Sequence, residues 1–182
     1  LKELREEFDS RSPNKHIQLT SAAGIDPVVL NAYKGAEKHL DYVLGMHYDV
    51  CGSTWAVGNH SPMYHDPDNK DVDPTWNVTA SVDLLIENGF KPSQICVGCP
   101  LYGRGWSKID PYNKDKPIFG KNVGGTPNSL SGDAGEPGLS SWRHMQAEFL
   151  KSDWNVTYDD VEKSVYAIHN TSGQTWSYED PK

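Results

Sequence analysis

Five side chains near two points of the sequence could do chemistry. Tyr48 and Asp49 close a nearly all-apolar run that starts at Tyr42. A phenol beside a carboxylate offers one hydrogen-bond donor and up to four acceptor positions. The pair could serve a ligand, or it could be a buried Tyr satisfied by backbone and an Asp capping a loop. Trp55 follows six residues later in a polar stretch. An indole there gives a flat face on which the C–H groups of a pyranose stack, or it anchors the loop. Tyr102 and Arg104 end a second apolar run. Arg104 could pair with Asp49 or donate to a ligand oxygen, whereas Trp106 reads as packing at a hinge.

Other reactive types are present without a supporting pattern. Cys96-Val97-Gly98-Cys99 is formally C-x-x-C, but it lies in a strand and runs into Pro100. Positions i and i+3 of a strand face opposite sides, and no second C-x-x-C or paired His completes a zinc set. These cysteines read as packing residues. His60, His65, Asp66 and Asp68 share a long loop, in a spacing that fits no standard metal-ligand pattern. No metal and no cofactor is expected.

The elements around these residues alternate. Ile17–Ala23, Tyr42–Tyr48 and Gln94–Tyr102 read as strands, with helices at Pro27–Tyr33 and Thr75–Asn88 between them. Strand, helix, strand, helix, strand is the rhythm of parallel βα units. An opening helix carries Leu1, Leu4 and Phe8 on one stripe. The rhythm fails after Trp106. Residues 107–140 are rich in Gly, Pro, Lys, Asp and Ser and show no period. A helix follows at 141–150, with Trp142, Met145 and Phe149 on one face. Antiparallel strands are then expected at 155–158, 165–168 and 175–178.

Composition narrows the ligand. The 182 residues carry 17 Lys and Arg against 25 Asp and Glu, a net charge of −8. An acidic chain without a basic run is a poor partner for phosphate backbones or anionic membranes, so neither nucleic acid nor membrane is expected. No apolar run approaches the ~20 residues of a membrane span. Six Trp and nine Tyr suit an uncharged, ring-bearing ligand. Three cysteines cannot make a disulfide-stapled scaffold. Sequons at Asn59, Asn77, Asn155 and Asn170 point to a secreted protein.

Taken together, these motifs resemble glycoside hydrolase family 18, the chitinases. Met46-His47-Tyr48-Asp49, with Gly52 and Trp55 after it, resembles the family's M-x-Y-D motif. Gly58-Asn59-His60-Ser61-Pro62-Met63-Tyr64 looks like the loop that leads away from it. Pro100-Leu101-Tyr102-Gly103-Arg104 is similar to the seventh strand, and Trp176-Ser177-Tyr178-Glu179-Asp180-Pro181 to the end of an α+β insertion. The resemblance implies a partial (β/α)₈ barrel: residues 1–106 as strands five to seven, 107–175 as the insertion, and 176–182 as the return to the barrel. The remaining part of the barrel is then a required partner, because three strands cannot close it. It further implies a retaining, substrate-assisted chitinase acting on chitin or chito-oligosaccharides. Tyr48 and Asp49 would be catalytic, and Met46, Trp55, Tyr102 and Arg104 would bind substrate. The family's D-x-x-D-x-D-x-E motif, whose Glu is the acid, does not occur in these residues, so the chain alone is expected to be inactive. The alternative the same residues allow is a catalytically inactive chitinase-like lectin.

Overall fold

A computed structural model describes residues 1–133 and 135–180. Pro181 and Lys182, read above as part of the return to the barrel, lie outside the described residues. The first body is a parallel sheet in the order β1 (Thr20–Gly24), β2 (Tyr42–Met46), β3 (Ile95–Val97). Its registers run Ala23 to Gly45 and Gly45 to Val97, which is the parallel arrangement expected of βα units.

Helices α2 (Pro27–Asn31) and α3 (Val78–Glu87) cover one face of this sheet. Their core unites Ala23, Leu30, Leu40, Val43, Leu85 and Phe90. Each helix begins where a side chain accepts an orphan backbone N–H: Asp26 takes Val28, and Asn77 takes Ala80. Asn77 therefore starts α3 at Val78, three residues later than the apolar spacing predicts. On the opposite face Leu44 and Met46 stay about 40% exposed. The first helix, α1 (Lys2–Arg11), buries none of its residues. A polar clamp holds it instead of the expected apolar stripe: Arg5 donates to the Ile17 carbonyl at 2.6 Å and to Asp41 at 3.3 Å.

The third expected strand divides. It ends at Val97, and a new strand, β4 (Tyr102–Trp106), belongs to a different sheet. Pro100 lies in the gap; without an N–H it cannot continue a ladder. The second body is an antiparallel sheet in the order β7-β4-β10-β9-β8. It comprises β7 (Leu139–Ser141), β8 (Trp154–Asp159), β9 (Ser164–His169) and β10 (Thr175–Tyr178) beside β4. A small hairpin, β5 (Ile109–Pro111) and β6 (Gly120–Asn122), lies within the stretch that shows no period in sequence.

Helix α4 (Trp142–Phe149) lays Met145 and Phe149 on this sheet, against Trp154, Val165, Ala167, Trp176 and Tyr178. The alternation Tyr102-Gly103-Arg104-Gly105-Trp106 makes that packing possible. A Cβ on Gly103 would meet the Met145 sulfur at 2.6 Å, and one on Gly105 the Trp176 indole at 2.7 Å. Two glycines thus clear one face of β4 while Tyr102 and Arg104 stand on the other. A third core, around fully buried Trp106, joins Val50, Cys51, Val57 and Val72 of the long loop to Ile118, Phe119 and Tyr166. The loop after β2 is thereby fixed to the second body.

Candidate functional site

The site forms where the chain leaves β2 and meets β4. Asp49 takes a left-handed backbone conformation, φ +63°, which Asp tolerates better than most residues but which still carries strain. The turn aims its carboxylate at β4. There Arg104 donates from Nε to Oδ1 at 2.7 Å and from Nη2 to Oδ2 at 2.9 Å. This two-point fork is the strongest geometry available to an Arg and a carboxylate. Glu136 stands 3.4 Å from the third guanidinium nitrogen.

Aromatic rings frame the fork. The Arg104 guanidinium lies 5.3 Å from the Trp55 ring and 5.5 Å from the Tyr102 ring, both within cation–π range. Trp55 is 52% exposed, and its indole N–H donates to the Val50 carbonyl at 3.1 Å, so the ring is presented and held at once. Tyr48 meets Tyr102 edge to face, centroids 6.0 Å apart. Of the residues singled out from sequence, Tyr48, Asp49, Trp55, Tyr102 and Arg104 come together here. Met46 sits two residues before Tyr48, on the face of β2 that also exposes Leu44.

Electrostatics set the charge states. Burial alone would raise the Asp49 carboxyl, but the polar groups of His60, Arg104 and Tyr102 outweigh it and hold it well below the usual carboxylate range. Asp49 is a fixed anion. Burial, then the neighbouring carboxylate, pushes the Tyr102 phenol far above its ordinary value. The fork raises Arg104. None of these three groups can exchange a proton near neutral pH.

Sequence reasoning missed the support beneath. His60 is completely buried, its ring 5.4 Å from that of Tyr102 and its Nδ1 3.9 Å from Asp49 Oδ1. Its backbone N–H donates to Ser177 Oγ at 3.0 Å, and its carbonyl accepts from Val50 N at 2.9 Å. Asn59 donates to Glu162 at 2.8 Å. Glu162 is buried on the β8–β9 turn and pushed up to about 7, chiefly by burial. The one available signal was the run Asn59-His60-Ser61, polar residues in series inside a loop. Asp66 and Asp68, weighed above as metal ligands with His60 and His65, instead both hold the Lys116 ammonium, Asp68 at 2.9 Å.

The family "Glycosyl hydrolases family 18" matches residues 1–182. Endochitinase 1 of Metarhizium robertsii is 29% identical over 189 residues, which take in 100% of this chain and 41% of that protein. A chitinase of Autographa californica nuclear polyhedrosis virus is 28% identical over 192 residues, 98% of this chain and 32% of its own. The structure of an immunomodulatory active chitinase from Trichuris suis superposes with a TM-score of 0.83 at 25% identity, covering 98% of this chain and 49% of that one. A catalytic domain of Ostrinia furnacalis Group II chitinase, solved with (NAG)5, gives 0.80 at 25% identity over 98% and 45%. The chain spans less than half the length of these relatives.

Proposed function

The chain belongs to glycosyl hydrolases family 18, and on that premise we propose that it forms part of a retaining chitinase cleaving β-1,4 bonds between N-acetylglucosamine units. One observation carries the reading: the Asp49–Arg104 fork stands beside half-exposed Trp55 at the end of a parallel strand. An ion pair with an indole at its rim binds a neutral polyol through directional oxygens and one stacked ring.

The roles follow from the charge states. Asp49 stays ionised, so it accepts hydrogen bonds from sugar hydroxyls and cannot serve as the acid. Arg104 holds it in place. Trp55 stacks a pyranose ring. Tyr48 donates its phenolic hydrogen to the substrate's acetamido oxygen as that oxygen closes on the anomeric carbon. In this substrate-assisted route the sugar's own amide replaces an enzyme nucleophile. Protonation of the leaving oxygen belongs to a Glu of the D-x-x-D-x-D-x-E type, a motif residues 1–182 do not contain. By themselves these residues should bind chito-oligosaccharide weakly and hydrolyse none. Polymeric chitin is met outside the cell, and exposed Asn155 and Asn170 suit a secreted protein.

The test is Tyr48→Phe in the natural polypeptide carrying these residues. A hydrogen bond strongest in the transition state lowers kcat far more than it alters KM. A fall of roughly a hundredfold or more in kcat on chitotetraose is expected, with KM within a few-fold. Unchanged turnover would overturn the assignment.

A further inference from the structure

Neither ring nitrogen of buried His60 reaches a hydrogen-bond partner among the described residues. Leaving a buried polar group unpaired is costly, and such groups in native structures call for an explanation. The segment that carries the ring is held at its backbone. Its backbone is tied to Ser177 on β10 and to Val50 beyond Asp49. The groups that face it are the Asp49 carboxylate, the Arg104 guanidinium and Tyr102, ring and backbone, on β4. Burial, opposed by the Asp49 carboxylate, holds the imidazole below its ordinary range. The ring is therefore neutral and carries a single N–H.

Each Asp49 oxygen accepts one hydrogen bond from Arg104 and keeps a second acceptor position. A small turn of the carboxylate then lets one oxygen accept from a sugar hydroxyl while the other accepts from a donor behind it. Oδ1 already lies 3.9 Å from His60 Nδ1, and closing to bonding range takes a shift of about 1 Å. We propose that His60 is a positioning residue: it keeps its proton on Nδ1 and donates a hydrogen bond to Asp49 when the carboxylate turns toward a substrate hydroxyl. The unpaired Nδ1 is then a donor held in reserve. This rests on the reading of Asp49 as a substrate-binding carboxylate.

Two measurements test it. In ¹⁵N spectra of the natural polypeptide carrying these residues, His60 should be neutral at pH 7, with the proton on Nδ1. In the natural polypeptide carrying these residues, His60→Leu should lower kcat/KM for chitotetraose about tenfold, the worth of one hydrogen bond. His60→Asn, whose Nδ2 falls near the place of Nδ1, should recover most of that loss. Thermal unfolding of both variants separates a damaged fold from a lost donor. A proton on Nε2, or an Asn variant as impaired as the folded Leu variant, would overturn the proposal. If the wild-type polypeptide hydrolyses nothing, the proposed function fails, while the tautomer still decides the role of His60.

Discussion

Arg104 and Asp49 meet across 55 residues of chain as a two-point ion pair, and that pair joins the loop after β2 to the second sheet. Each partner is useful because of the other. The guanidinium keeps the carboxylate ionised, and the carboxylate lays the guanidinium against Trp55 and Tyr102.

Arg104→Lys keeps the charge and loses the planar fork. Sugar affinity should fall roughly 3- to 10-fold, and stability by roughly 1 kcal/mol, since the pair is partly solvated and screened. Isothermal titration with chitotetraose and urea unfolding read the two effects. Unaltered affinity in the Lys variant would show that a point charge is enough.

Glu162 sets a pH dependence of stability. Its folded carboxyl, at about 7, lies above its ordinary 4.5, with burial the largest cause. A raised acid keeps its proton longer in the folded state. Its stabilising share is present at low pH, declines as pH rises from about 4.5, and is gone above about 7. Glu162→Gln removes this term while retaining an acceptor for Asn59. Relative to the wild type, the Gln variant should gain roughly 1–3 kcal/mol between pH 5 and pH 8 in urea titrations. Parallel curves would mean that Glu162 titrates normally.

Gly52 makes room for the Trp55 ring, which a Cβ at that position would strike. Gly52→Ala should displace the half-exposed indole with little loss of stability. Weaker oligosaccharide binding and a red-shifted tryptophan emission are expected. Unchanged binding would separate Trp55 from the sugar site.

Trp106 is buried between the long loop and the second sheet. Trp106→Ala should cost roughly 3–5 kcal/mol, seen as a lower urea midpoint. It should also weaken sugar binding, because the same core anchors Val50, next to Asp49. A variant that unfolds at the wild-type midpoint would show that this core does not hold the loop.

Local physics made much of this protein legible in the sequence. Alternating apolar runs fix β1 and β2 as strands covered by helices, and the spacing of Met145 and Phe149 fixes the buried face of α4. Motif spacing singled out Tyr48 and Asp49 just past β2, Tyr102 and Arg104 in the next apolar run, and Trp55 six residues beyond Asp49. What stayed hidden depends on contacts between residues far apart in the chain. Pro100 marks a break in the third strand, but only the pairing of Tyr102–Trp106 with β7 and β10 assigns β4 to the second sheet. Nothing near His60 in sequence says that its ring lies under Asp49, since that place is set by Ser177, 117 residues away. Glu162 reads as one charge in an acidic turn until Asn59, 103 residues distant, closes over it. Propensity and periodicity act over a few residues and decide the elements, whereas the charge state of a buried group depends on which other elements exclude water from it, and that only the packing of the two sheets decides.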